Sequence, residues 1–346
     1  MDKHEIIELL RRGEYVSGAE LGRSLGVTRA AVSKAIAALK REGYGIESVP
    51  NRGHRLLSEP DRLDRAAILA ALGDHPWADR LELLSSVDST NNYLKARASQ
   101  TSPAKERCPS ARTGAEGSAP DPASPHSGAV AVAEAQTAGR GRLGRSFDSA
   151  PGAGSYLSVL LHPACPPAAL MTLTARAAVA VRRAIREAAG VEAGIKWVND
   201  LVLNGKKICG ILTELSVEAE SGLVSYAVVG VGINCNRPAA AFPPELRSVA
   251  GSILSETGKR VDRNALTAAL IRALSELPGE EWLTEYRAAC VNLGRPVQIL
   301  APGRPPRPGT ALDVGPNAEL LVQTETGVEA VRSGEVSVRG MYGYMP

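Results

Sequence analysis

The stretch that decides the fold of the central region is residues 195–215, which read IKWVNDLVLNGKKICGILTEL. Two segments, Leu201–Leu203 and Lys206–Leu215, flank Asn204-Gly205, a dipeptide typical of the type I′ turn of a β-hairpin. A hairpin pairs its strands antiparallel, whereas a doubly wound sheet joins parallel strands through helices. The stretch therefore favours an α+β domain over a doubly wound parallel sheet.

Further strands and helices surround this hairpin. The predicted strands are Leu81–Val87, Ala129–Ala135, Ser155–Leu161, Ile195–Trp197 and Tyr226–Ile233. The predicted helices are a connecting helix within Asp61–Gly73, an Ala-rich helix over Pro167–Ala189, and two helices near Asn264–Leu277 and Glu281–Val291. Together they predict an α+β domain with a mixed sheet over residues 61–293. Within it, residues 99–127 are rich in Pro, Ala, Ser and Gly, and we expect a flexible low-complexity insertion there.

Residues 1–60 predict a winged helix-turn-helix domain. Ser17 and Thr28 are suited to cap two successive helices, and two short strands, 46–49 and 54–57, follow the second of these. In this layout the last helix enters a major groove and the wing touches phosphates. The expected DNA-binding residues are Arg29, Ser33, Lys34, Arg52 and Arg55. The alternative is a helical protein-interaction module with a solvated basic face.

From about Gly294 the chain changes to short alternating strands between Gly, Pro and Asn turns. This texture predicts a small SH3-like β-barrel over residues 294–346. A chain of 346 residues is long enough for the two or three domains that these boundaries imply.

Composition limits the classes of function. The net charge of +3 is too small for nucleic-acid binding by bulk electrostatics, so any DNA contact must come from a local patch. The five cysteines have no zinc or redox spacing, which favours small buried residues in a reducing cytosol, and the five scattered histidines indicate no metal array. No apolar run is long enough to span a bilayer, so we expect a cytoplasmic protein without a membrane partner.

The loop Gly139–Arg145 combines three glycines with three arginines. Glycines let the backbone approach an anion closely, and arginine forks bind phosphate or carboxylate bidentately. The loop alone fits a lid over an anionic ligand, a nucleic-acid contact or a solvated basic turn equally well.

Four motifs in a fixed order separate these alternatives. They are Ser89-Thr90-Asn91, the loop from Gln136 to Arg145, Lys196-Trp197-Val198-Asn199-Asp200 and Gly230-Val231-Gly232-Ile233-Asn234. With them, nearly the whole chain resembles the biotin protein ligases, of the bifunctional kind that also represses the biotin operon. The resemblance implies an ATP- and Mg²⁺-dependent enzyme that forms biotinyl-AMP and transfers biotin to a lysine of the biotin carboxyl carrier protein. It also implies operator DNA as a partner and a homodimer when biotinyl-AMP, the co-repressor, is bound.

The resemblance assigns roles to matching positions. By this resemblance, Lys196, Arg140 and Arg142 are the catalytic residues, and Asp200 and Asn199 are the residues that bind magnesium. The residues that the resemblance assigns to binding biotin or the nucleotide are Ser89, Thr90, Asn91, Gln136, Arg140, Gly141, Arg142, Lys196, Gly210, Gly230, Gly232 and Asn234. Two positions depart from the family: Val198 replaces its usual proline, and Phe147 replaces a common tryptophan.

Two other functions stay open at this point. One is a biotin sensor that has lost catalysis, although the intact Lys196, Asp200 and arginine loop argue against it. The other is a ligase for lipoate or octanoate, which resembles this fold, although the winged helix and the Gly-Arg-Gly-Arg loop favour biotin.

Overall fold

The computed structural model describes residues 3–41, 43–100, 128–301, 303–332 and 337–340. The chain divides into two compact units, Met1–Arg62 and Leu63–Pro346. The insertion predicted over 99–127 lies outside the described residues from residue 101 onward. Its first two positions, Ser99 and Gln100, are helical instead.

The first unit forms three helices and a two-stranded sheet in its described part. They are α1 (Lys3–Leu10), α2 (Gly18–Leu25), α3 (Arg29–Arg41), β1 (Gly45–Val49) and β2 (Gly53–Ser58). The predicted caps form, because Ser17 Oγ accepts from the Glu20 amide at 3.1 Å and Thr28 Oγ1 accepts from the Ala31 amide at 3.2 Å. The two strands pair antiparallel after α3, which is the arrangement of a helix-turn-helix with a wing.

The wing turn requires glycine at position 53, because the backbone there passes close to Val16. Gly53 has φ of +111°, and a Cβ there would lie 2.3 Å from the carbonyl oxygen of Val16. That carbonyl accepts the His54 amide at 2.9 Å, so the wing is fastened beside the start of α2. Only glycine satisfies both conditions.

The second unit contains the remaining elements. Its helices are α4 (Arg65–Leu72), α5 (Thr90–Gln100), α6 (Leu173–Ala189), α7 (Ile253–Thr257), α8 (Arg263–Ser275) and α9 (Trp282–Ala289). Its strands are β3 (Leu81–Leu84), β4 (Ala129–Ala133), β5 (Gly154–Leu161), β6 (Gly194–Lys196), β7 (Asp200–Leu203), β8 (Lys206–Val217), β9 (Val224–Asn234), β10 (Pro296–Leu300), β11 (Arg307–Val314), β12 (Leu320–Thr324), β13 (Gly327–Val331) and β14 (Ser337–Gly340).

In the described residues, the central sheet has seven strands in the order β3-β4-β5-β9-β8-β7-β6. Strands β3 and β4 are parallel and the other neighbours are antiparallel, so the predicted mixed sheet is confirmed. The deciding hairpin joins β7 to β8, and Asn204 and Gly205 have φ of +47° and +77°, as a type I′ turn requires. Helices α6 and α8 pack together against this sheet and supply much of its apolar core.

One helix begins later than its sequence indicates. Residues Pro167–Leu170 form a separate 3₁₀ turn, and α6 starts only at Leu173. Pro166 is extended, as expected before a second proline, and Pro167 begins the 3₁₀ turn, where its missing N–H leaves no hydrogen bond unmade.

The last five described strands form a second sheet in the order β13-β12-β11-β10-β14. The predicted strands are present, but this sheet is open, since no pairing closes β13 onto β14 among the described residues. Apolar residues of this sheet, including Val297 and Leu320, belong to the same buried cluster as the central sheet. Within the described residues, no helix is long and apolar enough to cross a membrane.

Candidate active site

A cavity of about 540 Å³ opens in the second unit, between the central sheet and the Gly-Arg loop. It brings together segments that are far apart in sequence. The lining residues are Ser89, Thr90, Asn91, Gln136, Arg140, Gly141, Arg142, Leu143, Arg145, Ser146, Phe147, Lys196, Trp197, Asn199, Asp200, Lys207, Gly210, Ile211, Leu212, Gly230, Val231, Gly232, Val249 and Gln298. All four sequence motifs contribute, so the predicted site residues do converge, with the exception of Asn234.

The start of α5 is held at one end of the cavity by polar contacts. Gln136 Oε1 accepts from the Thr90 amide at 2.9 Å and from the Thr90 hydroxyl at 3.2 Å. Gln136 Nε2 in turn donates to Ser149 Oγ at 2.8 Å. Ser89, Thr90 and Asn91 are buried, so they do more than cap an exposed helix end.

Asn91 is fixed on both sides of its amide. Its Oδ1 accepts from Ser158 Oγ at 2.6 Å, and its Nδ2 donates to Glu214 Oε2 at 2.9 Å. Directly beneath it lies Gly230 of β9, where a Cβ would approach Asn91 Oδ1 to 2.1 Å. The sheet must therefore carry glycine at this point for Asn91 to occupy its place.

The Gly-Arg loop forms one side of the cavity, and a few backbone hydrogen bonds within the loop hold its base. The Gly141 amide donates to the Arg145 carbonyl at 2.7 Å, and the Phe147 amide donates to the Gly139 carbonyl at 2.8 Å. At the tip, Leu143 has φ of +55° and is 64% exposed. An exposed tip on a base with few bonds is suited to open and close.

Positive charge faces the cavity from both the loop and the sheet. Arg142 Nη1 donates to Asn199 Oδ1 at 3.2 Å, and burial lowers the pKa of its guanidinium, which still remains charged. On the sheet, Lys196 of β6 pairs in register with Asp200 of β7 and is 6% exposed. Lys207 Nζ lies 2.6 Å from Asp200 Oδ1. This concentration of cations favours an anionic ligand.

Lys207 is the main residue that the sequence motifs did not identify. Strict alternation along β8 would place it on the face opposite Gly210 and Leu212. A register shift between β7 and β8, near Leu201 and Val202, changes the alternation, and Lys207 Nζ comes within 3.0 Å of a Cβ built on Gly210. Sequence periodicity carries no information on such a bulge.

Phe147 keeps the aromatic surface that its position requires. Its ring lies 2.7 Å from a Cβ built on Gly232, and Lys207 Nζ lies 5.9 Å from its centroid. The ring therefore rests against the glycine floor of the sheet. Val198, the other departure, is buried and does not line the cavity.

The ligand-binding role of Asn234 stays a prediction, and its position differs from that of the other predicted site residues. Asn234 ends β9 outside the cavity lining, and its Nδ2 donates to the Gly251 carbonyl at 2.9 Å. The side chain fastens the segment before α7 instead. Its place in a Gly-x-Gly-x-Asn motif made it look equivalent to the two glycines, but it lies beyond the end of the cavity floor.

The expected DNA-binding residues of the first unit lie on α3 and in the wing. Arg29, Ser33 and Lys34 are exposed on α3. In the wing, the guanidinium carbons of Arg52 and Arg55 lie 4.3 and 4.8 Å from the ring centroid of Tyr15. Arg55 also pairs with Glu47 at 2.9 Å, so Arg52 is the more available of the two.

Comparison with known proteins agrees with this geometry. Residues 121–234 match the biotin/lipoate A/B protein ligase family, and residues 3–55 match an HTH domain. The chain is 31% identical to the bifunctional ligase/repressor BirA of Bacillus subtilis over 97% of this chain and 98% of that protein. It is also 31% identical to BirA of Escherichia coli, over 97% of this chain and 96% of that protein.

Solved structures give the same result. The biotin protein ligase of Aquifex aeolicus, solved in complex with biotin and ATP, is 28% identical, with a TM-score of 0.57 over 75% of this chain and 98% of that one. Full-length similarity to the bifunctional proteins, together with the cavity and the helix-turn-helix, assigns the family: the chain belongs to the bifunctional biotin ligase/repressors.

Proposed function

We propose that the cavity is the active site of an ATP-dependent biotin protein ligase, in which biotinyl-AMP forms and from which biotin passes to a lysine of a biotin carboxyl carrier protein. The observation that carries this proposal is the convergence of the Ser89–Asn91 segment, the Gly-Arg loop and the cations of β6 and β8 on one cavity. The polar end of the cavity, at Ser89–Asn91, suits the ureido ring of biotin. The cationic end suits the biotin carboxylate and the triphosphate of ATP.

The first half-reaction joins two anions, and this dictates the residues it needs. An oxygen of the biotin carboxylate attacks the α-phosphorus of ATP, and pyrophosphate leaves. Arg142, Lys196 and Lys207 offset the negative charge that accumulates at the α-phosphate, and Arg140 stands at the rim. Holding both reactants in one cavity contributes through proximity, a term worth roughly 7–11 kcal/mol in favourable cases.

The second half-reaction needs an open route for a protein lysine. Its neutral amine attacks the carbonyl carbon of the mixed anhydride, an amide bond forms and AMP leaves. Since an acyl adenylate hydrolyses readily, the loop from Gly139 to Arg145 must exclude water until the carrier arrives. Its exposed tip at Leu143 fits this opening and closing role.

Mg²⁺ fits this donor set only together with the nucleotide. The described residues contain no group of three or more His, Cys, Asp or Glu side chains that could hold a metal by themselves. Mg²⁺ commonly uses one or two carboxylates plus phosphate oxygens and waters, and Asp200 supplies such a carboxylate. Asn199 is the weaker candidate, because its Oδ1 accepts from Arg142. A bound Mg²⁺ would offset phosphate charge.

An acceptor biotinylation assay tests the enzymatic proposal. The full chain is incubated with ATP, biotin and a carrier domain, and the carrier is expected to gain the mass of one biotin only when ATP is present. Failure at saturating substrates would favour a biotin sensor without catalysis. Competition binding between biotin and lipoate separates the two ligase specificities, and preferential binding of lipoate would contradict the proposal.

We also propose that the first unit binds operator DNA as part of a homodimer that forms when biotinyl-AMP is bound. The exposed Arg29, Ser33 and Lys34 on α3 and Arg52 in the wing support this proposal. A dimer would place two such helices one turn of DNA apart, roughly 34–36 Å. Tighter DNA binding with biotin and ATP is expected; equal affinity with and without them would remove the coupling.

The remaining organisation is proposed on the same basis. We assign residues 1–60 to the DNA-binding domain, 61–293 to the ligase domain and 294–346 to a C-terminal domain of SH3-like type in a cytoplasmic protein. The five-stranded antiparallel sheet supports the last of these assignments. Gln298 of β10 lines the cavity, so this sheet contributes to the wall of the proposed site.

A further inference from the structure

Glu214 lies at the end of the cavity floor without lining the cavity. Strand residues two apart share a face, so Gly210, Leu212 and Glu214 of β8 follow one another along the floor. In register, Leu212 is opposite Gly230 and Glu214 is opposite Val228 on β9. The carboxylate thus stands where the glycine floor ends and α5 begins to cover the sheet.

Three polar groups from two separate segments meet on this one carboxylate. Asn91 Nδ2 donates to Oε2 at 2.9 Å, and Lys95 Nζ binds Oε1 at 2.8 Å. The third is Arg140 of the Gly-Arg loop, whose Nη2 lies 3.4 Å from Oε1. The other end of the same guanidinium donates to Asn92 Oδ1 at 2.7 Å.

The carboxylate is ionised at neutral pH. Burial raises the pKa of Glu214, but hydrogen bonds from Lys95 and Asn91 and the charges of Lys95 and Arg140 together bring the pKa below its ordinary value. A negative charge this close to a site for anions needs compensation, and Lys95 and Arg140 both provide it.

These contacts define a connection between the ligand segment and the loop. Asn91 and Arg140 both line the cavity, and Glu214 contacts each of them. It fixes which way the Asn91 amide faces, since Nδ2 on Glu214 leaves Oδ1 for Ser158. It also keeps the Arg140 guanidinium at the rim before any ligand arrives.

We propose that Glu214 is a positioning residue for biotin binding, which orients Asn91 and holds Arg140 at the cavity rim so that both are preorganised for the ligand. The inference rests on the proposed ligase function. Glu214 acts through Asn91 of the ligand segment and Arg140 at the rim, and not through the cations placed at the α-phosphate, so its main effect is expected on the binding of biotin. Its removal should raise the KM for biotin while kcat at saturating biotin is retained.

Two substitutions separate the two contacts. Glu214→Gln keeps an oxygen for Asn91 but loses the charge that holds Arg140, and we expect the KM for biotin to rise about tenfold. Glu214→Ala removes both contacts and should raise it further. Asn92→Ala removes the other support of Arg140 and should act in the same direction as Glu214→Gln.

Lys95→Met is the matched control. It breaks an ion pair to the same carboxylate but leaves the Asn91 and Arg140 contacts, so the KM for biotin should stay within about threefold of the parent value. If Glu214 served only to bind α5 to β8 through Lys95, Lys95→Met and Glu214→Gln would have the same effect. That result would overturn the proposal.

The experiment measures pyrophosphate release by the full chain against biotin concentration, with ATP and a carrier domain at saturating concentrations and with thermal melting to confirm that each variant is folded. A raised KM with kcat within about twofold supports the proposal. An unchanged KM, or a lower kcat at unchanged KM, in the isosteric Glu214→Gln contradicts it. If the parent chain releases no pyrophosphate, the ligase function itself fails, and this outcome is distinct from an active parent with an unaffected variant.

Discussion

Gly230 in the sheet beneath the cavity and Gly141 in the loop above it are both glycines of the same site, but their surroundings differ. A Cβ on Gly230 would meet Asn91 Oδ1 at 2.1 Å, whereas a Cβ on Gly141 would find its nearest neighbour, the Arg145 carbonyl oxygen, at 3.4 Å. In the floor, glycine makes room for a side chain that holds the ligand. In the loop, it leaves the backbone free to move.

The cations of the two regions differ in the same way. Lys207 of the floor is bound to Asp200 and sits over Phe147, so its position is set before ligand binding. Arg140 of the loop is 43% exposed as a side chain, with a contact of 2.7 Å to Asn92 Oδ1 and a longer one of 3.4 Å to Glu214 Oε1. The floor therefore supplies charge at the reacting groups, and the loop supplies more exposed charge at the rim.

The largest effects are expected from the floor cations. Lys207→Ala removes a fixed charge beside Asp200, and we expect adenylate formation to fall by roughly 10²–10³-fold with the melting temperature retained. Lys196→Ala should abolish adenylate formation to at least the same degree. Pyrophosphate release measures both.

Lys206→Ala is the matched control for Lys207, because the neighbouring lysine pairs with Glu256 at 3.4 Å and does not line the cavity. It should retain activity within about twofold. Near-normal turnover in Lys207→Ala would remove this residue from the mechanism.

The second effect concerns the floor glycine. Gly230→Ala drives a methyl group into Asn91, and biotin affinity should fall by roughly 100-fold, which corresponds to about 2.7 kcal/mol. Titration calorimetry with biotin measures it. In an Asn91→Ala background the added methyl finds space, so the same substitution should have a much smaller effect. Additive effects would show that the clash with Asn91 is not the cause.

Much of the fold was predictable because its rules are local. The Asn204-Gly205 turn, the caps at Ser17 and Thr28 and the alternation of the last strands each depend on a few neighbouring residues. The convergence of Ser89–Asn91 and the Gly-Arg loop followed from resemblance to a family, not from spacing.

What escaped prediction depends on long-range geometry. A bulge against β7 turns Lys207 into the cavity, and Asn234 is drawn away to the Gly251 carbonyl. Gln298 reaches the cavity from more than 60 residues beyond β9, through the packing of the C-terminal sheet. No periodic pattern marks any of these three positions.

The base of the loop should behave more like the floor than like its own tip. A Cβ on Gly139 would lie 2.3 Å from the Phe147 carbonyl oxygen and 2.7 Å from Ser149 Oγ. Gly139→Ala should therefore displace the strand-like base of the loop and raise the KM for biotin about tenfold. Steady-state kinetics measure it, and an unchanged KM would mean that the base can shift at no cost.

The smallest effect is expected for Gly141→Ala, which is also the matched comparison for Gly139. Gly141 has φ of −124°, a value open to alanine, and the added methyl group makes only ordinary contacts with Arg145. Alanine narrows the conformations of the open loop, so the KM for biotin should change by less than about threefold. Stopped-flow measurement of biotin binding should instead show altered association and dissociation rates. A loss of affinity as large as that of Gly139→Ala would mean that the tip, like the floor, is a fixed part of the site.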